Sequence, residues 1–203
     1  KTANKVQGSD KIFDYGLSYI HLETDLENPQ NSGLGWGNTA VQQGNSFSQE
    51  VNLIKPISSK NANGSFGMIG NESIQTKFKN TEHKVNLSLN GKELSSLIWS
   101  NGGLKSANFL IEPNILIDGN QTFEITNNND NPNSLPFYDF LSLSYYRELE
   151  YRKPFEFISP IHSADATFRI KGNDIRVWNI TDITSPKNIP LQINEGIISS
   201  HVT

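Results

Sequence analysis

The sequence predicts an all-β protein, an antiparallel β-sandwich of the jelly-roll type. Apolar and polar residues alternate with a period of two along most of the chain, which places alternate side chains on opposite faces of a sheet. Ten or more short segments of this kind are separated by Gly, Asn and Pro, a spacing typical of sandwiches rather than of parallel α/β sheets. Helical stripes are hard to find, and the abundance of Asn and Ser favours turns over long helices.

The clearest strand covers residues 84–89, where Val85, Leu87 and Leu89 share one face. Asn90-Gly91 follows and fits a type I′ turn, because both residue types accept positive φ angles. The sequence therefore predicts a hairpin with a second strand at 93–99. The other predicted strands are 17–23, 46–54, 65–69, 74–78, 108–112, 122–126, 139–150, 155–159, 167–170 and 175–180.

Residues 137–151 form the longest predicted strand region. Leu141, Leu143 and Tyr145 share one parity and are expected to face the core, whereas Arg147 on the same parity breaks that face. We therefore expect a bulge, or the exit of the strand from the core, near Tyr146. The polar stretch 127–134 before it is expected to be an exposed, mobile loop.

The sequence shows one composition regime, no internal repeat and no internal linker. We therefore expect one β-sandwich domain over residues 15–203, preceded by a frayed or partial N-terminal segment at 1–14. The C-terminal end reads as a cut inside a longer protein. The residues expected in the core are Phe47, Val85, Leu87, Leu89, Phe109, Phe123, Leu141, Leu143, Phe157, Phe168 and Val177.

Composition excludes several classes of function. The 17 Lys and Arg residues against 21 Asp and Glu residues give a net charge of −4, and no basic cluster is present to bind nucleic acid. No apolar run approaches the roughly 20 residues of a transmembrane helix. The absence of cysteine rules out disulfides, thiolate metal sites and a cysteine nucleophile within this sequence.

Calcium is the metal that the sequence favours most, although no cofactor is required. Asp118 near Asn120, and Asp130 in the Asn-rich stretch, offer hard oxygen ligands at loop positions. Each stretch holds a single carboxylate, so the alternative is a loop of Asx turns without a cation. The four histidines are scattered and lack the spacing of a zinc site.

Carbohydrate binding is a second possibility, since β-sandwiches bind sugars on exposed aromatic rings. The candidate ligand-binding residues are Trp36, Trp99, Tyr138 and Tyr146, with Tyr151 as a further aromatic. Large aromatic residues are also ordinary core residues, so burial of these rings is the alternative. Trp178 alternates with Arg176 and Ile180, and neither face of that segment is cleanly polar.

Three stretches, in chain order, carry a resemblance to a known family. They are Y-I-H-L-E-T-D-L at 19–26 followed by G-L-G-W-G-N at 33–38 and Phe47, then 136–147, then R-V-W-N-I-T-D-I-T-S-P at 176–186. They are similar to the motifs Y-x-x-x-E-x-D … G-x-x-W-x-G … F, W-x-D-Y-I-E-L-x-Y-x-R and V-W-D-V-T-D-P-x-x-P. These motifs belong to the region before the peptidase domain in gingipain-like proteins of family C25, which include type IX secretion sortases.

The resemblance implies a non-catalytic accessory module of a surface protease or sortase. In that family the sandwich precedes a caspase-like domain whose Cys and His perform the chemistry, so this chain is expected not to be an enzyme by itself. Its expected partner is the peptidase domain or a client protein, and its expected location is extracellular or on the bacterial cell surface. The alternatives are a carbohydrate-binding module, with a glycan as partner, and an adhesin-like structural domain.

Overall fold

A computed structural model describes residues 11–29, 35–71, 82–100, 102–161, 166–194 and 197–202. Strands without helices make up the regular structure of these residues, which confirms the predicted all-β, jelly-roll class. The strands are β1 Ile12–Phe13, β2 Tyr15–Glu23, β3 Ser46–Leu53, β4 Ala62–Gly70, β5 Glu82–Leu89, β6 Lys92–Ser100, β7 Gly103–Ile111, β8 Gly119–Asn127, β9 Phe137–Glu148, β10 Ala166–Lys171, β11 Val177–Asn179, β12 Lys187–Ile189, β13 Leu191–Asn194 and β14 Ile197–Val202.

The chain divides into two compact units. Unit 1 consists of Lys1–Ser18 and Tyr146–Thr203, and unit 2 consists of Tyr19–Tyr145. Of the expected frayed segment 1–14, only residues 11–14 are described, and Ile12–Phe13 there form β1. The single domain over 15–203 stays a prediction. The predicted strand at 74–78 lies outside the described residues.

Unit 2 is a sandwich of two four-stranded sheets. One sheet has the order β2-β9-β4-β7 and the other has the order β3-β8-β5-β6. The apolar faces of both sheets supply one core, and burying these faces is the main favourable contribution to the fold. Of the residues predicted in the core, Val85, Leu87, Leu89, Phe109, Phe123, Leu141 and Leu143 are buried there, and Phe47 packs against them partly buried.

The predicted hairpin is confirmed as β5 and β6. Asn90 and Gly91 have φ angles of 49° and 84°, the two positive values that a type I′ turn needs. Asn90 adds a side-chain bond, since its Oδ1 accepts from the Thr122 amide at 3.2 Å. The local sequence signal and the tertiary contact therefore support the same turn.

The bulge in β9 lies earlier than predicted. The register between β4 and β9 changes from Phe66 opposite Leu141 to Met68 opposite Tyr138. Two β9 residues, Asp139 and Phe140, therefore oppose Gly67 alone. The extra residue reverses which parity faces the core, because Tyr138 before the bulge and Leu141 after it are both core residues.

Gly67 explains why the bulge occurs there rather than near Tyr146. The ring of Phe140 lies over Gly67, where a Cβ atom would overlap it. A glycine opposite the bulge therefore admits the aromatic ring on the outer face of the sheet. Near Tyr146 the strand continues without a bulge to Glu148. Tyr145 is the last β9 residue in the core of unit 2, so the predicted exit of the strand from that core does occur near Tyr146.

Unit 1 contains a third four-stranded sheet, a hairpin and a second apolar cluster. The sheet has the order β1-β10-β14-β13, with β1 parallel to β10, and β11 pairs with β12. The cluster is formed by Leu149, Ala166, Phe168 and Ile170, with Phe157 and Val177 packed against it. Phe157, Phe168 and Val177 were predicted in the sandwich core, and they belong instead to this separate cluster.

Two predicted strands of unit 1 are shorter or absent. In the segment 155–159 the described backbone forms one isolated bridge, from Ile158 to Leu17, instead of a strand. The alternation there reflects packing of Phe155 and Phe157 on the second cluster. The predicted strand 175–180 is reduced to β11. Arg147 is buried with its guanidinium 4.2 Å from the centre of the Phe155 ring, which gives the charge a partner.

Candidate functional site

Three carboxylates meet at one end of the β2-β9 pair in unit 2. Glu23 is the last residue of β2, Asp25 follows two residues later, and Asp139 lies in the bulge of β9. One oxygen from each carboxylate lies within 4.8 Å of the other two. Across the residues that the structure describes, no other set of three His, Cys, Asp or Glu side chains is close enough to share a metal ion. We call these residues the acidic cluster.

Asp139 is the buried member of the acidic cluster. It is 5% exposed, whereas Glu23 and Asp25 are exposed. The pKa of Asp139 is raised to about 6, first by burial and then by the negative charges of Glu23 and Asp25, and these effects outweigh the opposite effect of His21. Burial likewise raises the pKa of the adjacent Tyr138, whose phenol stays neutral.

His21 holds Glu23, one member of the acidic cluster, in place. Its Nε2 lies 2.8 Å from Glu23 Oε2, and its Nδ1 lies 2.7 Å from Ser142 Oγ. With the proton on Nε2, the ring donates to Glu23 and accepts from Ser142. The ring also packs against Phe140, with 5.5 Å between ring centres. The bulge therefore fixes both Asp139 and, through Phe140, the orientation of His21.

The donor set decides what the acidic cluster can bind. Carboxylate oxygens are the ligands of hard cations such as Ca²⁺ and Mg²⁺, whereas Zn²⁺ prefers nitrogen and sulfur. The sequence analysis missed this site because its members come from separate strands. The available signal was the E-x-D spacing at the end of a predicted strand together with Asp139 in the second resembling stretch.

The metal candidates predicted from the sequence lie elsewhere. Asp118 is exposed, and its Oδ1 accepts from the Lys55 amide at 2.7 Å. Asp130 is exposed, and its backbone carbonyl accepts from Gln43 Nε2 at 3.1 Å. Calcium binding at Asp118 or Asp130 stays a prediction, and neither residue belongs to a group of three candidate ligands among the described residues.

The Asn-rich stretch around Asp130 is a series of Asx turns. The side-chain oxygens of Asn127, Asn129 and Asn131 each accept from the amide two residues later, at 3.2, 2.7 and 2.9 Å. The expectation of an exposed loop is wrong for its ends, since Asn127 is 0% and Ser134 1% exposed. Asn127 Nδ2 donates to the Val41 and Ser134 carbonyls, so the loop buries its own polar groups with partners.

The four aromatic candidates are not gathered on one surface. Trp99 packs on His83 at 4.8 Å between ring centres and Tyr138 packs on Phe47 at 4.7 Å, both in the core of unit 2. Rings buried in this way offer no face to a sugar. Trp36 in unit 2 is 44% exposed, and the half-buried Tyr146 in unit 1 contacts Tyr15.

Unit 2 has a shallow polar concavity of about 380 Å³ on the outer face of the β2-β9-β4-β7 sheet. Tyr19 is 57% exposed at its edge and its hydroxyl donates to Ser142 Oγ at 3.2 Å. Outward-facing residues of neighbouring strands line it, including Asn63, Ser65, Asn108, Ser142 and Ser144. An amide- and hydroxyl-rich surface beside an exposed ring suits a polar ligand such as a sugar.

Unit 1 has a more apolar concavity of about 390 Å³ at the β11-β12 hairpin. It is lined by Arg176, Trp178, Asn188, Ile189, Pro190 and Leu191. Trp178 is 51% exposed, and the connection between the two strands carries Ile180 and Ile183 at 44% and 83% exposed. We call Trp178, Ile180 and Ile183 the hairpin patch. Such apolar side chains on one short hairpin are typical of an interaction surface.

Comparison with known proteins identifies the fold. The structure of dimeric latent PorU from Porphyromonas gingivalis matches 96% of this chain with a TM-score of 0.79 and 15% sequence identity. The chain spans 19% of the length of that protein. The two chains therefore share a fold, which supports the resemblance found in the sequence as far as a PorU-like fold. No protein-family model and no curated protein matches the chain.

Carbohydrate-binding modules are more distant structural neighbours. A family 36 module in complex with calcium and xylotriose matches 62% of this chain and 98% of its own, with a TM-score of 0.40 and 12% identity. A module of the same family from a xylanase of the Trinervitermes trinervoides hindgut metagenome has a TM-score of 0.39 and 17% identity, over 63% of this chain and 95% of its own. Neither likeness is close enough to indicate function.

In the described residues, no helix is long and apolar enough to cross a membrane.

Proposed function

We propose that this chain is a non-catalytic accessory β-sandwich module of a gingipain-like, type IX secretion-related surface protease or sortase. In this proposal it is extracellular and docks the peptidase domain or a client protein. The observation that carries the proposal is the match to PorU over 96% of the chain at a TM-score of 0.79. The chain also lacks the cysteine that a peptidase of that family would use as its nucleophile.

The hairpin patch is the surface proposed for docking. Exposed tryptophan and isoleucine side chains bury apolar surface when a partner binds, and this burial supplies much of the binding energy in protein interfaces. The neighbouring concavity has Ile189 of β12 and Leu191 of β13 on its wall, which extends the apolar surface from the hairpin to the start of β13. The patch falls within the third stretch that resembles the gingipain-like family.

Docking is tested by measuring binding between this chain and the peptidase domain of the same gene, expressed separately, with calorimetry. We expect Trp178→Ala and Ile183→Ser to weaken binding by about tenfold or more, as hot-spot substitutions do. Leu104→Ser, a matched change at an exposed apolar position of unit 2 that is 56% exposed, is expected to leave binding unchanged. Absence of binding, or equal affinity in all variants, would contradict docking through the hairpin patch.

Carbohydrate binding is the second candidate function. It is favoured by the polar concavity of unit 2, where Tyr19 stands beside amide and hydroxyl side chains. A glycan array with the purified chain tests it, and Tyr19→Ala should abolish any binding seen. Trp178→Ala serves as the control, since Trp178 lies outside that concavity. Binding that Tyr19→Ala leaves intact would exclude this surface as a sugar site.

A further inference from the structure

The acidic cluster places a buried carboxylate close to two further carboxylates. Asp139 is 5% exposed, and none of the described residues donates a hydrogen bond or forms an ion pair with its carboxylate. Buried carboxylates normally have such partners, because removing a charge from water without one is costly. The nearest acidic groups, Glu23 and Asp25, add like charges within 4.8 Å. His21 directs its Nε2 to Glu23 rather than to Asp139.

We propose that Glu23, Asp25 and Asp139 bind a Ca²⁺ ion. Calcium takes oxygen ligands at roughly 2.3–2.6 Å, so two ligands on opposite sides of the ion lie up to about 5 Å apart. Oxygens within 4.8 Å of one another fit around such an ion. Mg²⁺ requires ligands at about 2.0–2.1 Å in a strict octahedron, and three carboxylates on one short strand end and one bulge suit the more tolerant ion.

The bulge in β9 is the structural device that creates the site. Tyr138 and Leu141 both face the core, so the residues between them turn to the outer face of the sheet. Without the extra residue, Asp139 would share the core-facing parity of Leu141. Bulges often redirect a side chain toward a functional site, and this one directs the buried carboxylate to the end of β2.

The ion would link the end of β2 and the residue after it to the bulge of β9. The exposed side chains of Glu23 and Asp25 leave the outer side of the site open to water, which completes the coordination shell of six to eight oxygens. Calcium would therefore stabilise unit 2. This inference does not depend on the proposed function.

Calorimetry and thermal unfolding of the whole chain test the site. The chain is stripped with chelator and titrated with CaCl₂, and MgCl₂ is titrated separately for comparison. We expect one Ca²⁺ per chain, weaker binding of Mg²⁺, and a rise in Tm of about 5 °C or more when Ca²⁺ exceeds its Kd by about a hundredfold. Asp139→Asn and Glu23→Gln should weaken Ca²⁺ binding at least tenfold.

Asp118→Asn and Asp130→Asn are the matched controls, because each neutralises one carboxylate outside the acidic cluster. Both should bind Ca²⁺ as the parent chain does. Asp139→Asn keeps the size of the side chain and removes a buried charge, so without Ca²⁺ its Tm should be higher than that of the parent. If Asp139→Asn does not fold, Glu23→Gln and Asp25→Asn at exposed positions give the same test.

Three results would overturn the proposal. One is the absence of Ca²⁺ binding and of any Tm shift at about 10 mM CaCl₂, roughly tenfold above the Kd of the weakest extracellular calcium sites. Another is unchanged affinity in the acidic-cluster variants. The third is loss of binding in Asp118→Asn or Asp130→Asn, which would place the ion at the loop positions instead.

Discussion

The buried imidazole of His83 makes the stability of unit 2 depend on pH. His83 is 0% exposed, its Nδ1 lies 3.0 Å from Ser134 Oγ, and its ring packs on Trp99. Its Nε2 is buried without a hydrogen-bond partner among the described residues. Burial lowers the pKa of His83 from 6.5 to about 4, because a charged ring there would lose its hydration.

The sign and size of the effect follow from this shift. Between pH 6.5 and 4 the unfolded chain binds more protons than the folded chain, so stability falls as the pH falls through this range. A pKa difference of 2.5, from 6.5 to 4, corresponds to about 3 kcal/mol over the whole range. About 2 kcal/mol of this is lost between roughly pH 7 and pH 5.

Urea unfolding at several pH values, followed by tryptophan fluorescence, to which the buried Trp99 contributes, measures the prediction. His83→Phe is the matched variant, since it retains a ring against Trp99 and cannot be protonated. We expect the parent to lose about 2 kcal/mol more than His83→Phe between roughly pH 7 and pH 5. Asp139, with its pKa raised to about 6, contributes a slope of opposite sign, and the contribution cancels in the difference.

NMR titration of the His83 ring checks the cause directly. A titration midpoint near the ordinary value of 6.5, or parallel pH profiles of the parent and His83→Phe, would refute the reasoning. Either result would mean that the ring is hydrated, or that it finds a partner for its charge in the folded state.

Three further predictions concern the sandwich of unit 2, and urea unfolding measures each of them. Gly67→Ala should destabilise the chain because the added Cβ overlaps the Phe140 ring. A double-mutant cycle with Phe140→Ala should give a coupling energy of about 1 kcal/mol or more. A coupling energy of zero would show that the ring does not rest on Gly67. Asn127→Ala should cost about 2–4 kcal/mol by leaving two buried carbonyl groups without donors, and a cost below about 1 kcal/mol would show that water replaces the amide. Leu87→Ala should lower the free energy of unfolding by about 2–5 kcal/mol, because it leaves a cavity in the core. Leu104→Ala, at an exposed position, should lower it by less than about 0.5 kcal/mol. Similar losses in the two variants would argue against a packed core.

The parts of the fold that depend on local chemistry could be predicted from the sequence. The β5-β6 hairpin is an example, because Asn90-Gly91 and the alternation of Val85, Leu87 and Leu89 act within a few residues. The alternation of apolar residues likewise predicted that Leu141 and Leu143 face the core. Short strands such as β12 lacked such a signal.

The acidic cluster could not be predicted because it depends on the pairing of distant strands. The parity of Asp139 follows from the bulge, and the bulge follows from Gly67 on β4, which the pattern of β9 alone does not contain. The prediction that the Asn-rich stretch 127–134 is exposed was wrong at its ends for a similar reason. Composition marks Asn127 as polar, but its burial depends on the Val41 carbonyl, far away in the sequence.

Reading the complete open reading frame that encodes this chain tests the accessory-module proposal most directly. We expect the same frame to encode a peptidase domain with a Cys and His pair after Thr203, in the order that the resemblance to gingipain-like proteins implies. A frame that continues into a glycosidase, or that contains no such peptidase domain, would contradict the proposal and favour the carbohydrate-binding alternative.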